Sequence, residues 1–298
     1  MRLLILVPLF LLACSAGSND AASESLVQVV GKLEHKKLNE ASGLARSNRQ
    51  PGVFWAMNDD GPAKIYALDE TGRHLGRVDI EGAKNRDWED LASFVLDGTP
   101  YLAIGDIGDN EARYKHLTVY IIEEPDPKDD TAKIAWEVKF RYGGGPRDAE
   151  SMAVDAENGH VYVLSKRTVP AELYQLPLHP EDDDVLEAAQ VAILDSLPQP
   201  NENQLRNAMQ NGWGWQPTGM DLAPDGRSAL ILTYDGINYF ARAAGQSWPD
   251  AFAGRALHLA LGRYKKAEAI SYTDDSAAAM VTIEAQHAPL LRIRLEVD

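Results

Sequence analysis

The sequence predicts an all-β chain, a five-bladed β-propeller of four-stranded blades whose ring is closed by the N-terminal strand completing the last blade. Three observations predict it. A short motif recurs five times, each copy is followed by the same succession of strand-like runs, and the last copy is one strand short while the chain's first strand belongs to no copy. A repeated unit that cannot bury its own apolar face alone must stack on its neighbours, and a ring of such units leaves no open edge.

The motif is an oxygen-bearing residue, a second residue that is often small, an apolar one, then often a small one. Its copies are Ser42-Gly43-Leu44-Ala45, Glu89-Asp90-Leu91-Ala92, Glu150-Ser151-Met152-Ala153, Thr218-Gly219-Met220-Asp221 and Glu268-Ala269-Ile270-Ser271, at intervals of 47, 61, 68 and 50 residues. Each is followed by an apolar run: Val53–Met57, Tyr101–Ile104, Val161–Leu164, Ala229–Thr233 or Ala279–Ile283. A polar turn comes next, then a strand centred on Tyr66, Tyr120, Tyr174, Tyr239 or Arg292. Fourth strands are expected at His74–Ile80, Ile134–Phe140, Ala189–Leu194 and Ala256–Leu261. The chain ends before a fifth, and Val27–Leu33 is the spare strand that completes it. No amphipathic helix longer than about two turns is expected. An open all-β sandwich with coincidental spacing is the competing arrangement.

The ends carry a different signal. Arg2 precedes an apolar run from Leu3 to Ala13, too short to span a bilayer, which needs about 20 residues. Residues 1–13 therefore read as a signal peptide. Leu11-Leu12-Ala13-Cys14 resembles the lipobox of bacterial lipoproteins, and Cys14 is the single cysteine of the chain. An ordinary signal cleaved near Ala16 is the alternative. Residues 14–25 read as a flexible tether and 26–298 as one propeller domain. The expected location is the bacterial cell envelope, on the outer membrane facing the periplasm, with membrane contact through the lipid alone. A net charge of −16 argues against nucleic-acid partners, and a monomer is expected.

In a propeller the first strand of every blade borders the axis, so Ser42, Glu89, Glu150, Thr218 and Glu268 are expected to converge there. Crowded carboxylates stay ionised only if something positive lies between them. Mixed oxygen donors suit calcium, which takes 6–8 oxygens in flexible geometry. Neutralisation by Arg86, Arg147 or Lys266 is the alternative.

The chain here resembles the calcium-activated nucleotidases (apyrases), five-bladed propellers with one axial calcium held by Ser and Glu side chains. The resemblance covers most of residues 40–298 and lies in the pattern rather than in close identity. It implies that Ser42, Glu89, Glu150, Thr218 and Glu268 are metal ligands. Asn58-Asp59-Asp60-Gly61 ahead of Ile65-Tyr66 is similar to the family's Asp-rich turn, and Leu164-Ser165-Lys166-Arg167 to its basic pair. The acidic run Asp106-Ile107-Gly108-Asp109-Asn110 departs from the family's basic segment there.

Loops after second strands should share a face with the axial residues. They carry Asn58, Asp59, Asp60, Asp106, Asp109, Asn110, Lys166, Arg167, Tyr234, Asp235, Glu284, Gln286 and His287. Connections entering first strands add Lys84, Arg86, Arg147, Lys265 and Lys266, and the insertion 195–217 adds Trp213 and Trp215 as a lid or wall. No Gly-x-Ser-x-Gly elbow, His-Glu-x-x-His pair or phosphate loop is present.

Two functions remain open on these residues. One is a binding protein whose calcium-bearing axial face takes a small anionic or glycan-like ligand, or an envelope protein. There Asn58, Asp109, Asn110, Arg86, Arg147, Trp213, Trp215, Tyr234, Asp235 and Glu284 make the contacts. The other is a metal-dependent hydrolase of phosphate esters or anhydrides, with Lys166 and Arg167 stabilising charge and Asp59, Asp60 or Asp106 as base.

Overall fold

A computed structural model describes residues 26–211, 214–264 and 266–295. Cys14, the signal run, the tether, Trp213 and Lys265 lie outside the described residues. Strand β1 (Val27–Lys32) opens the described chain. Next come β2 (Ala41–Arg46), β3 (Val53–Asn58), β4 (Lys64–Asp69) and β5 (His74–Glu81), each antiparallel to the one before. The same meander recurs in β6 (Trp88–Leu96), β7 (Thr99–Asp106), β8 (Leu117–Glu123) and β9 (Thr131–Tyr142). It recurs again in β10 (Ala149–Asp155), β11 (His160–Ser165), β12 (Glu172–Pro177) and β13 (Leu186–Ile193). Then follow β14 (Pro217–Leu222), β15 (Ser228–Thr233), β16 (Gly236–Ala241) and β17 (Leu257–Ala260). Last are β18 (Ala267–Tyr272), β19 (Ala278–Ile283) and β20 (Pro289–Arg294). The chain's first strand returns to this last meander, with Val27 opposite Ile293 and Lys32 opposite Pro289.

Hydrogen bonding does not keep the meanders apart as expected. Strand β9 runs past Ile134–Phe140 at both ends, and each extension pairs in parallel with an outer strand of a neighbour. Asp79–Glu81 of β5 lies beside Thr131–Lys133, and Leu186–Ala188 of β13 beside Phe140–Tyr142. Three meanders therefore form one sheet of 12 strands, and the other two are separate sheets of four. The physical reason is an unsatisfied edge: an outer strand this long offers backbone donors and acceptors at both ends, and neighbours take them.

The first strands form a closed circuit. β2 packs beside β6, β6 beside β10, β10 beside β14, β14 beside β18, and β18 beside β2. Apolar layers fill the wedges between consecutive meanders. Trp55 and Ile65 meet Leu91 and Ile104; Val119 and Phe140 meet Met152 and Val163; Leu164 and Leu173 meet Ile231 and Phe240. Leu230 and Ile237 meet Tyr272 and Leu291, and Met280 and Leu290 return to Leu44 and Tyr66. The result is an all-β, propeller-type body around one axis.

Among the described residues two helices interrupt the succession of strands. α1 (Glu202–Asn211), ten residues inside the 195–217 insertion, exceeds the two turns expected. Asn201 starts it, its Oδ1 accepting from the backbone of Asn203 and Gln204 at 3.0 Å each. The helix has few apolar residues, so no periodic stripe announced it. α2 (Trp248–Phe252) is capped by Ser247 and adds Trp248 and Phe252 to the layer around Phe240.

Candidate functional site

The five motif oxygens share one local distortion. In every first-to-second strand pairing the register slips by one residue, between Ala41 and Gly43, Trp88 and Asp90, Ala149 and Ser151, Pro217 and Gly219, and Ala267 and Ala269. The residue skipped each time is Ser42, Glu89, Glu150, Thr218 or Glu268. A bulge of this kind bends the strand and re-aims one side chain out of the alternation. The small second residue follows from crowding beside the axis: a Cβ on Gly43 would lie 2.8 Å from Leu91 N, and one on Gly219 would lie 3.2 Å from Ile270 Cγ2.

Four of the five line one cavity of about 180 Å³: Ser42, Glu89, Glu150 and Glu268, with Glu40, Asp59, Asp87, Asn110, Lys166, Tyr234 and Glu284. Thr218 does not line it; its Oγ1 donates to Ala267 O at 2.7 Å, tying β14 to β18. Ser42 makes the matching link to β6, donating to Trp88 O at 2.8 Å, and keeps its place on the cavity wall.

Seven carboxyl groups and one ammonium thus face one small space. Lys166 Nζ pairs with Glu150 Oε1, both side chains under a tenth exposed, and its ammonium lies 5.3 Å from the Tyr234 ring centroid. Glu150 Oε2 is buried with no hydrogen-bond partner. Burial and mutual repulsion raise the pKa values of Glu89 and Glu268, with Glu150 the largest neighbouring charge on each. Burial raises Glu150 too, against the pull of Lys166. Asp59 is pushed up to about 6 by burial and then by Glu40. Asp87 rises by burial and by Asp148. Burial works against the Lys166 ammonium, yet Glu150 and Glu268 outweigh it and raise its pKa. Among the described lining residues Lys166 is the one cation beside seven carboxyl groups.

Three of the other expected basic residues are committed elsewhere, and Lys266 is exposed and not among the residues lining the cavity. Arg86 Nε binds Asp106 at 2.6 Å, Arg147 Nε binds Glu172 at 2.6 Å, and Arg167 Nε binds Asp148 at 2.6 Å while its fork reaches Asn110. Neutralisation of the axial glutamates by Arg86 or Arg147 is therefore not what the fold contains; Lys166 has that place.

The acidic run 106–110 is largely architectural. Asp106, 1% exposed, accepts from the backbone of Arg86 and Asp87 as well as from the Arg86 guanidinium. Asp109 caps the following turn by accepting from Arg113 and Tyr114 N, and its own N–H donates to Asp148 Oδ1. Gly108 lets this loop sit on the cavity rim, since a Cβ there would fall 2.5 Å from Asp87 Cγ and 2.6 Å from Glu89 Oε1.

Asp59 reaches the cavity but Asp60 does not, although Glu40, Asp59 and Asp60 each offer an oxygen within 4.8 Å of the others. Asn58 frames a neighbouring wall, its amide donating to Lys37 O at 2.7 Å and accepting from Glu40 N at 3.3 Å. Trp215 packs edge-on against His258 next to β17, away from the cavity, and Asp235 is not among the lining residues.

Residues that sequence reasoning missed are Glu40, Asp87 and Asp90. Glu40 and Asp87 each stand two residues ahead of a motif oxygen, which was the available signal. Asp90 is fully buried at the motif's second position. Its carboxylate accepts from Leu91 N at 2.9 Å, from Met152 N at 2.7 Å and from Met220 N at 3.0 Å, joining β6, β10 and β14 across the axis.

No family model and no curated protein matches the chain. Among solved structures it is similar to Mala s 1, the major allergen of Malassezia sympodialis, at 14% identity and TM-score 0.47, over 89% of this chain and 81% of that one. It is similar to XC5397, a gluconolactonase from Xanthomonas campestris, at 14% identity and TM-score 0.46, over 86% and 72%. U3-55K gives 10% identity and TM-score 0.43, over 86% and 68%. These likenesses are too distant to carry an argument about chemistry.

Proposed function

We propose that this chain is a five-bladed propeller whose axial cup binds one divalent cation, calcium by preference, and that it works as a binding protein of the bacterial envelope, held by a lipid on Cys14. The five-blade reading rests on the five bulged motif residues and the closed circuit of first strands. The single observation that carries the cation is the imbalance of seven carboxyl groups against one ammonium around about 180 Å³. The unpartnered Glu150 Oε2 is the oxygen that such an ion would take first. Glu89, Glu150 and Glu268 would supply the carboxylates and Ser42 a neutral oxygen, a donor set that calcium accepts and that magnesium, with its stricter octahedral demand, fits less well. Bound calcium would add positive charge to that of Lys166, the one cation among the described lining residues.

Binding is favoured over hydrolysis by the state of the expected catalytic groups. Asp106 is saturated with donors, Arg167 is held by Asp148, and Lys166 by Glu150. A phosphoester approaching the cup would meet acids before it met a free cation.

Elemental analysis and calcium titration followed by thermal melting test the reading. One equivalent of calcium is expected, with stabilisation of about 2.7 kcal/mol at a hundred times Kd. Glu89→Gln/Glu150→Gln should melt cooperatively and lose the calcium response. A protein that purifies without metal and melts identically in calcium and in chelator would sink it.

A further inference from the structure

Beside the axial cup lies a second, larger cavity of about 560 Å³, sharing only Glu40 with it. Its walls are the 36–40 segment and the β3–β4 turn, and its lining differs in kind from the cup. Lys36, Lys37, Lys64 and Arg77 stand on it, in a chain with 29 basic residues against 45 acidic ones. Asp79 pairs with Lys64 and lies 3.8 Å from Arg77. Lys36 and Lys37 make no ion pair among the described residues. The rings of His35 and His74, tilted to one another with 4.4 Å between centroids, lie close by, His35 against the lining residue Tyr66. Both are held below the usual imidazole range, by burial first and then by neighbouring cations that include Arg77.

The wall is built in advance of any ligand. Leu38, fully buried, anchors the segment. Asn58 clamps both Lys37 O and Glu40 N, and Asp59 N donates to Glu40 O at 3.2 Å. Beside the basic residues the lining includes the hydrogen-bonding groups Asn39, Glu40, Asp60 and Gln286, with Tyr66 part of the surface. The lining thus offers both cations for an anionic group and acceptors for hydroxyls. Its volume lies in the range of small-molecule sites, about 300–1,000 Å³.

We propose that this cavity binds a hydroxylated anion of monosaccharide size, its phosphate or carboxylate held by Lys36, Lys37 and Arg77 and its hydroxyls by Asn39, Glu40, Asp60 and Gln286. The site stands apart from the axial ion, and binding does not require it.

The test is isothermal titration calorimetry of the intact protein in chelator and low salt. The probes are glucose 6-phosphate, glucuronate, glucose and inorganic phosphate, titrated into wild type and Lys36→Ala/Lys37→Ala. Both lysines are exposed, so the variant should melt as wild type does, and melting is measured alongside. Glucose 6-phosphate or glucuronate should bind wild type at least tenfold more tightly than glucose or inorganic phosphate. Whichever acid binds should bind the double variant at least tenfold more weakly, and should lose affinity in 0.5 M salt. Preference between the two acids identifies the anionic group. Equal binding by wild type and a folded double variant overturns the proposal. So does inorganic phosphate binding as tightly as the sugar phosphate, or no heat from either acid at millimolar concentration. Repeating the titration with calcium separates this site from the cup: unchanged affinity is expected, and an absolute need for calcium would refute its independence.

Discussion

Replacing Asp90 tests whether the axis is held by a carboxylate that does no binding. Asp90 has no solvent exposure, and its two oxygens receive three backbone N–H groups from three different positions around the ring. In Asp90→Asn the amide oxygen can face Met152 N and Met220 N, which leaves Leu91 N–H and the two amide N–H groups without acceptors. Each buried donor without an acceptor costs about 1–3 kcal/mol, so the gross cost is about 3–9 kcal/mol. In Asp90→Ala all three backbone donors lose their acceptor, and the gross cost is again about 3–9 kcal/mol. Relief from burying a carboxylate offsets part of either figure. For a domain of this size each kcal/mol moves Tm by about 2–4 °C. The expected result is a drop of several degrees for each variant, read by circular dichroism melts and confirmed by urea midpoints. If both lie within a degree of wild type, the three bonds do not join the blades and the account of the axis is wrong.

Three further outcomes follow from the same geometry. Lys166→Met removes the one cation among the cup's described lining residues and should destabilise the calcium-free protein by about 3–5 kcal/mol, while saturating calcium closes most of that gap and binds more tightly than in wild type; equal melting without calcium would contradict it. Asp221, which accepts from Tyr272 N at 2.8 Å, has its pKa raised by burial to about 6. A raised acid favours the folded state below its unfolded value and loses that advantage as pH rises through the folded one. The stability gap between wild type and Asp221→Asn should therefore be widest near pH 4 and narrow by at most about 3 kcal/mol by pH 7; a gap independent of pH in parallel urea titrations would refute this. Removing residues 26–33 uncovers the edge of β20, and the shortened chain should self-associate in light scattering while the full-length protein stays monomeric.

Much of the architecture was legible because it is written in repetition. The motif at Ser42, Glu89, Glu150, Thr218 and Glu268 recurs, and the bulge that skips each copy makes all five equivalent in strand register as well as in order. The closing strand was legible as a remainder, a strand at Val27 with no unit and a unit at Glu268 with no fourth strand. What stayed hidden depends on partners rather than pattern. Nothing in the order of residues says that Lys166 turns inward to Glu150 while its neighbour Arg167 turns to Asp148, because adjacent side chains at a strand end can take either direction. The run Asp106–Asn110 reads as an acidic surface until its carboxylates are seen capping backbone. Thr218 has the ligand's chemistry and the ligand's place in the repeat, but its hydroxyl is spent on Ala267 O. The ten-residue helix at Glu202 lacks an apolar stripe, and the parallel joints of β9 use only backbone groups, which leave no mark on residue choice.

The pairing of Val27–Lys32 with Pro289–Ile293 has a consequence for biogenesis. Residues 27–32 must wait until residues 289–293 have been made, so ring closure joins segments separated by nearly the whole domain. Contacts of that sequence span are slow to form. In the interval the incomplete last sheet would show the bare edge of β20 to any strand that met it.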